Sequence, residues 1–210
     1  MNDESDEPAR QRLTRAEAKS RTRALLLEAA AKTFARKGYA GASVEEIAEG
    51  AGFSIGALYS NFGGKEELFL ELAATYNSSL ISRAAEVLHE HEAGDARAAD
   101  LGRLLADSAD RDVDVALLRS EFWLYAMRNP AVMETLAARL REPRSALEGL
   151  VGPTLEQLGA PPEASAKAVA TVVAALFDGL VRQRQIDPAQ VPDELFGLAL
   201  RWLFTGIGAA

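Results

Sequence analysis

The composition of this 210-residue chain is that of a globular protein, with 48% hydrophobic residues, 26% charged residues and a net charge of −8. Cysteine is absent, which excludes disulfides, thiolate catalysis and thiol redox sensing. The apolar stretches are shorter than a bilayer-spanning helix requires, and residues 1–10 are acidic rather than basic and then apolar as in an export signal. We therefore expect a cytoplasmic protein that does not contact membranes.

The negative net charge conceals a strongly basic segment near the N-terminus. Acidic residues cluster between residues 3 and 7. From residue 10 to residue 37, Glu17 and Glu28 are outnumbered by basic residues, which are Arg10, Arg12, Arg15, Lys19, Arg21, Arg23, Lys32, Arg36 and Lys37. Because phosphate binding responds to the local field rather than to whole-chain charge, this segment is compatible with binding nucleic acid.

The first predicted element is an arm, acidic and then basic, over residues 1–18, which lack apolar periodicity and are expected to be mobile. A helix is predicted over residues 22–37, where apolar side chains recur at helical spacing and Gly38 can end the helix with positive φ. Residues 43–46 (SVEE) form a capping box that begins a second helix: the Ser43 hydroxyl binds the Glu46 amide, and Glu46 returns to the Ser43 amide.

A turn of small residues separates this second helix from a short third one. Residues 50–52 (GAG) supply the turn, and Ser54 caps a helix predicted over residues 55–61. Gly63 and Gly64 then interrupt the helical pattern again. A long helix then begins at Lys65, and its apolar pattern ends near residues 92–94. One face of this helix carries Leu68, Leu72, Tyr76 and Leu80.

The remaining periodicities predict helices over residues 96–109, 113–128, 130–158, 163–186 and 192–207. Pro143 and Pro153 are expected to kink or divide the third of these. Alanine and leucine dominate and hairpin dipeptides are nearly absent, so we predict an all-α chain of about nine helices. Its domains are predicted to be an N-terminal helix-turn-helix at residues 19–64 and a larger helical domain at residues 65–210.

The second and third helices have the helix-turn-helix pattern, which aims one helix into the DNA major groove while another crosses the backbone. Small Ala48 and Gly52 allow the two helices to approach closely. The side chains expected to face inward are Ile47, Ala48, Ala51, Phe53, Leu58 and Phe62. Those left outward are Ser54, Ile55, Gly56, Ala57, Ser60 and Asn61.

Residues 48–62 (AEGAGFSIGALYSNF), followed by residues 64–68 (GKEEL), closely resemble the TetR family of bacterial transcriptional regulators. The resemblance covers about residues 21–69 and includes residues 34–39 (FARKGY) at the end of the first helix. Two positions depart from the commonest spelling of the family: Asn61, where His is frequent, and Gly64, where a Ser, Asp or Asn cap is frequent.

The resemblance implies a homodimer on a palindromic operator of double-stranded DNA. The residues do not decide between activation and repression, and repression by steric occlusion is the default because no activation surface is apparent. No cofactor is expected. Tyr59 is expected either to pack under the turn, to reach a phosphate, or both, and Lys65 is expected at a phosphate. The arm arginines Arg10, Arg12 and Arg15 either contact DNA or belong to a solvated tail. The full expected DNA-binding set is Thr22, Ser43, Ser54, Gly56, Ala57, Tyr59, Ser60, Asn61 and Lys65.

The C-terminal domain is expected to supply a dimer interface and an effector pocket, as the resemblance implies. The last two helices pair large apolar residues with glycines, and the expected interface consists of Leu176, Phe177, Gly179, Leu180, Leu195, Phe196 and Trp202. The alternative for these residues is packing inside one subunit. A largely apolar effector of unknown identity is expected at Tyr76, Leu104, Phe122, Trp123, Tyr125 and Met127, although these side chains could simply fill the core.

The sequence gives little support for an enzymatic function. His89-Glu90-His91-Glu92 suggests a metal site, but histidines two apart do not share a helix face, and a solvated helix end is the favoured interpretation. No phosphate-cradling glycine loop or Gly-x-Ser-x-Gly elbow is present. We therefore predict a non-enzyme without a metal. The alternative function is a protein that binds small molecules or other proteins and whose helix-turn-helix has lost operator affinity.

Overall fold

The computed structural model describes residues 14–90, 95–111 and 113–209, and these residues fold entirely into helices and connecting turns. This confirms the predicted all-α fold. The helices are α1 (Arg15–Gly41), α2 (Val44–Gly50), α3 (Ile55–Asn61), α4 (Lys65–Glu90), α5 (Asp95–Arg111), α6 (Val113–Met127), α7 (Pro130–Arg139), α8 (Arg141–Leu158), α9 (Ala166–Ile186) and α10 (Asp193–Gly208), with a short 3₁₀ helix at Pro188–Gln190. In the described part of the chain, no helix combines the length and the apolar character needed to cross a bilayer.

The first helix begins seven residues earlier than the sequence pattern predicts. Thr14 accepts a hydrogen bond from the Glu17 amide, and the Glu17 carboxylate accepts one from the Thr14 amide at 2.7 Å, so α1 starts at Arg15 with a complete capping box. Residues 15–18, which were assigned to the arm, are therefore helical. Residues 1–13, including Arg10 and Arg12, lie outside the described residues.

The structure confirms the predicted bounds of α2 and α3 and adds a partner for Glu46 at the α2 cap. Ser43 caps α2 by accepting from the Glu46 amide at 3.2 Å. The Glu46 carboxylate pairs with Lys37 of α1, and hydrogen bonding from Lys37, with a smaller contribution from the Ser43 backbone, lowers the pKa of Glu46 below its ordinary value. Gly52 has φ +75° in the turn between the two helices, where a side chain would be strained.

The predicted helix over residues 130–158 is two helices. They meet at Leu140, so the division lies three residues before Pro143 rather than at a proline. Pro143 occupies the first turn of α8, where its missing N–H has no helical partner to lose. Pro153 lies inside α8.

One hydrophobic core joins the helix-turn-helix to the rest of the molecule. It contains Leu26, Phe34, Ile47, Leu58 and Phe62 of the N-terminal helices, all at most 2% exposed. The same core continues into α4, α6 and α7 through Leu68, Phe69, Phe122 and Val132. The start of α4 is therefore part of the packing that supports α1–α3.

Two smaller cores lie at the other end of the molecule, among α5, α8, α9 and α10. Helices α5 and α10 approach most closely at Gly102 and Gly197. A Cβ at Gly197 would lie 2.5 Å from the Ala98 carbonyl oxygen, and a Cβ at Gly102 would lie 2.7 Å from the Gly197 nitrogen. This crossing therefore requires glycine at both positions.

Candidate nucleic-acid interface and effector cavity

Helix α3 presents a polar edge away from the core. Leu58 is fully buried beneath it, and Phe62 closes its end at 2% exposure. Ser54, Gly56 and Ser60 are exposed, as predicted, whereas Ala57 is half-buried. Tyr59 is 54% exposed. The arrangement leaves one face of a short rod free for a flat or grooved partner.

The hydroxyl groups on this edge bind within their own helix. Ser54 accepts a hydrogen bond from the Ala57 amide at 3.2 Å and so caps α3. Ser60 donates to the Ala57 carbonyl at 2.8 Å. Both side chains are exposed, so each oxygen can also take part in a bond to a partner, because a hydroxyl has one donor and two acceptor positions.

Asn61 does not point outward as the sequence pattern predicted. Its side-chain amide donates to the Ala57 carbonyl at 2.8 Å, and its Oδ1 atom is buried without a hydrogen-bond partner. The residue is half-buried because α3 ends here and turns back toward α1. Reading of a base edge by Asn61 would require this amide to leave the Ala57 carbonyl.

Lys65 is engaged inside the protein. Its Nζ atom donates to the Ala42 carbonyl at 3.0 Å and lies 3.5 Å from the Ala40 carbonyl. The same ammonium lies 4.7 Å above the centre of the Tyr39 ring, a favourable cation–π arrangement. Lys65 therefore fastens the start of α4 to the end of α1, a role that the sequence did not suggest.

The remaining expected DNA contacts also have structural partners, whereas several cations of α1 do not. The Thr22 hydroxyl donates to the Ala18 carbonyl at 3.0 Å, and Ser43 is the cap of α2. At the start of α1, Arg15, Lys19 and Arg21 are exposed, and within the described residues no ion pair involves them. Positive charge is therefore displayed at this end of α1.

An ion-pair network joins α3 to α4 and α7 through Arg23, whose sequence context shows only that it is a basic residue. Arg23 donates to the Asn61 carbonyl at the end of α3, and its guanidinium lies 4.1 Å above the Phe62 ring. It also pairs with Glu71 of α4 at 3.0 Å. The second carboxylate oxygen of Glu71 accepts from Arg139 of α7 at 2.8 Å.

A further contact of α1 is made by Glu121 of α6. Its carboxylate accepts from the Tyr39 amide at 2.7 Å, directly after Gly38, whose φ is +70°. Tyr39 packs edge-on against Phe69 and Phe122 at 5.5 and 5.2 Å. Burial, with a smaller effect of neighbouring Tyr125, raises the pKa of Tyr39 well above its ordinary value, so its hydroxyl stays protonated at neutral pH.

A cavity of about 540 Å³ lies among α4, α5, α8, α9 and α10. Leucine, alanine, valine, isoleucine and phenylalanine side chains make most of its wall. Its charged lining residues are three arginines, Arg97, Arg144 and Arg201, and one acid, Asp178. The volume falls within the range of about 300–1,000 Å³ typical of small-molecule sites.

The residues expected to form an effector pocket do not line this cavity. Phe122 is 1% exposed and belongs to the core beneath α1, and Leu104 is buried at 7%. Tyr76 and Tyr125 pack against that same core, and the Tyr125 hydroxyl lies 3.4 Å from a Glu66 carboxylate oxygen. Trp123 and Met127 are more than half exposed. The reason is geometric, because α6 packs on α1 rather than over the cavity.

Several residues expected at a dimer interface instead face the inside of the subunit. Phe196 is 1% exposed, so its side chain is not accessible to a second subunit. Phe177 packs 6.1 Å from it, and both line the cavity together with Leu176 and Leu180. Leu195 is half-buried in the same cluster. Gly179 and Trp202 are exposed, Trp202 at 61%.

Helix α9 carries an outward stripe made largely of small residues, most of which were absent from the expected interface. Ala168, Val172, Ala175, Gly179 and Ile186 are all exposed, with Val172 at 49% and Ile186 at 73%. They recur at intervals of three, four or seven residues and so share one face of the helix. The seven-residue spacing of Val172, Gly179 and Ile186 is the signal that could have revealed this stripe from sequence.

The acidic and histidine run at the end of α4 forms no metal site in the described residues. His89 and Glu90 are exposed at the end of the helix, as expected for a solvated terminus. His91 and Glu92 lie outside the described residues.

Two protein-family models together match most of this chain. Residues 26–72 match the model for bacterial regulatory proteins of the tetR family. Residues 94–203 match the model for the C-terminal part of BetI-type transcriptional repressors. The second match alone covers more than half of the chain, and it includes cavity-lining residues of α5, α8, α9 and α10 but none of α4.

Individual relatives divide into local and full-length matches. The transcriptional repressor AcnR of Corynebacterium glutamicum is 44% identical over 66 residues, 31% of this chain, and the alignment spans only 33% of AcnR. The regulator TtgR of Pseudomonas putida is 27% identical over 93% of this chain and 94% of its own length. The crystal structure of FadR from Bacillus subtilis in complex with stearoyl-CoA has a TM-score of 0.67 and 17% identity, covering 86% of this chain and 96% of FadR. At that identity the likeness concerns the fold.

Proposed function

Because the chain belongs to the TetR family of bacterial regulatory proteins, we propose that it is a repressor that binds a palindromic DNA operator as a homodimer. We further propose that a small effector in the cavity releases it from DNA. The observation that carries the proposal is the exposed polar edge of α3, a short helix supported from beneath by a filled core.

The α3 edge provides the chemistry for base and phosphate contacts. Ser54 and Ser60 present hydroxyl groups that can donate to or accept from base edges in the major groove, and Ala57 can meet a thymine methyl group. Tyr59 can reach a phosphate with its exposed hydroxyl. The exposed cations Arg15, Lys19 and Arg21 supply the field that attracts the backbone, which carries most of the affinity.

The α9 stripe is the proposed centre of the dimer interface. Small residues such as Ala168, Ala175 and Gly179 permit two copies of α9 to approach closely, while Val172 and Ile186 bury apolar surface. Trp202 of α10 extends the same interface. A twofold contact of this kind places two α3 helices on the two halves of a palindrome.

The cavity favours an effector with an apolar body and an anionic group. Aliphatic walls suit a hydrocarbon, and three arginines against one aspartate make the lining positive in a protein whose net charge is −8. Arg97 and Arg144 make no ion pair with any described residue. FadR, similar in fold, is known with stearoyl-CoA, a ligand of this chemical type. The proposed class is a long-chain carboxylate or its coenzyme A thioester.

Operator binding is tested by sequencing the genomic DNA that the purified protein retains, followed by gel shifts on the recovered sites and on the DNA upstream of its own gene. A Tyr59→Ala variant is expected to bind at least several-fold more weakly. Trp123→Ala removes a similarly exposed aromatic residue from α6 and should leave affinity unchanged. Wild-type protein that retains no specific duplex at modest salt would favour the alternative, a binding protein with a degenerate helix-turn-helix.

The effector class is tested with dodecanoate, dodecanoyl-CoA and dodecanol, which share one alkyl chain. Either anion should bind and reduce operator affinity, and comparison of the two shows whether a carboxylate or a thioester with phosphates is preferred. Arg144→Gln should weaken anion binding, whereas Arg141→Gln changes an exposed arginine outside the cavity and serves as the control. Equal binding of dodecanol would contradict the anionic class without affecting the operator proposal.

A further inference from the structure

The end of helix α3 is held by a side chain from another helix. The last carbonyl groups of an α-helix have no partner inside it, and α3, with seven residues, is too short to be stable alone. The guanidinium of Arg23 donates to the carbonyl of Asn61, the last residue of α3. A cation at this end also opposes the negative pole of the helix dipole.

The rest of the Arg23 environment fixes its position. Its guanidinium lies 4.1 Å above the ring of Phe62, which is 2% exposed. The Arg23 side chain is 28% exposed and that of Glu71 is 26% exposed, so their 3.0 Å ion pair is largely shielded from water. Arg23 is therefore a shielded contact at the base of α3, unlike Arg15, Lys19 and Arg21 on the exposed side of α1.

The partner of Arg23 is shared with an arginine of α7. One oxygen of Glu71 binds Arg23 at 3.0 Å, and the other binds Arg139 at 2.8 Å. Arg139 also lies 3.4 Å from Glu67, whose second oxygen accepts from the Gly63 amide at 2.7 Å. Glu71 thus connects Arg139 to Arg23, and Glu67 connects Arg139 to Gly63 in the segment that follows α3.

Arg139 is joined directly to the wall of the cavity. It is the last residue of α7, and Leu140, the next residue, lines the cavity together with Pro143 and Arg144 of α8. A shift of the α7–α8 junction therefore moves Arg139 relative to Glu71. Because one carboxylate serves two arginines, that shift changes how Glu71 holds Arg23.

We infer that Arg23 is a positioning residue for α3 and that Glu71, shared between Arg23 and Arg139, couples the position of α3 to the wall of the cavity. This inference rests on the proposed operator binding. It assigns no DNA contact to Arg23, which acts through the carbonyl of Asn61.

The first test separates positioning from phosphate contact. Arg23→Gln is expected to reduce operator affinity on the order of tenfold, as for loss of a charge-assisted hydrogen bond, and to leave the salt dependence of binding unchanged. Lys32→Gln, which removes an equal charge from the exposed side of α1, should leave affinity within about twofold. A salt slope flattened by about one unit in Arg23→Gln would identify a phosphate contact and overturn the inference. Arg23→Lys, which cannot bridge two acceptors in the same geometry, should give an intermediate affinity.

The second test measures the coupling without any effector. Operator affinities of Arg23→Gln, Arg139→Gln and the double variant form a cycle, and the two changes are expected to be non-additive by about threefold or more. In a Glu71→Gln background the same cycle should become additive. Additive effects in the wild-type background would overturn the coupling, whereas failure of wild-type protein to bind any operator would instead contradict the proposed function.

Discussion

The two ends of this molecule differ in how completely they are packed. Around α1–α3 the core is filled by Phe34, Phe62, Ile47 and Leu58, each at most 2% exposed. Among α4, α5, α8, α9 and α10 a cavity of about 540 Å³ lies beside two smaller cores. The difference indicates that the α3 surface is preorganised, whereas the cavity end is stabilised further when a ligand occupies it.

The largest expected effect comes from truncating matched phenylalanines at the two ends. Phe62→Ala should destabilise the protein by about 3–5 kcal/mol, because the site is filled and cannot collapse. Phe204→Ala removes an equal side chain from the cavity wall, where less packing is lost, and should cost less than half as much. Urea denaturation of both variants measures the difference. Equal losses of unfolding free energy in the two variants would contradict the proposed difference in packing between the two ends.

The α5–α10 crossing is the place where the cavity end is packed as tightly as the other. Gly197→Ala should lower stability by about 1–3 kcal/mol, because the new methyl group meets the Ala98 carbonyl and backbone must move. Gly206→Ala on the same helix meets nothing within 4 Å and should be neutral or slightly stabilising. Thermal unfolding of the two variants is the measurement, and an unaffected Gly197→Ala would show that this crossing is loose.

How far the sequence predicted the fold depended on local signals. Ser43, Ser54 and Gly52 mark α2, α3 and their turn by capping and by positive φ, both of which are properties of a few consecutive residues. The start of α1 carries the same capping signal in Thr14 and Glu17, but no apolar periodic run follows it at once. The prediction therefore placed the helix seven residues late.

The candidate site was predicted less completely, because it depends on contacts between distant residues. Phe122 in a core and Phe177 at a cavity wall have the same helical periodicity, so sequence could not tell a filled space from an empty one. The stripe on α9 consists largely of small residues, which an interface search based on large apolar side chains passes over. Arg23 has the composition of a surface cation, and only its contacts across 38 and 48 positions of sequence reveal its place beneath α3.

A further prediction concerns Lys65, which joins the start of α4 to the end of α1. Lys65→Ala is expected to destabilise the protein by about 1 kcal/mol, since it removes the hydrogen bond to the Ala42 carbonyl and the cation over Tyr39. Because the ammonium is engaged internally, the salt slope of operator binding should change little. Lys65→Arg, which keeps the charge, controls for electrostatics. A slope flattened by about one unit with unchanged thermal stability would instead support the phosphate contact expected from the sequence.

The smallest effect is expected at the ion pair between exposed Asp110 of α5 and Arg184 of α9. Arg184 of α9 pairs with Asp110 of α5 and Asp193 of α10 at 2.7 Å each and donates to the Val191 carbonyl. The bond to Arg184 lowers the pKa of Asp110 below its ordinary value. Asp110 is 57% exposed, so solvent screening limits its contribution, and Asp110→Asn should cost less than about 1 kcal/mol at neutral pH.

The lowered pKa of Asp110 also predicts the pH range in which this ion pair stabilises the protein. A carboxylate whose pKa is lower in the folded state contributes stability above its unfolded pKa, and that contribution disappears as pH falls through the folded pKa. The difference in unfolding free energy between wild type and Asp110→Asn should therefore be present at pH 7, begin to shrink near the ordinary pKa of aspartate at about 4, and disappear only at lower pH, below the folded-state pKa. A difference that persists in acid would mean that Asp110 acts through packing rather than charge.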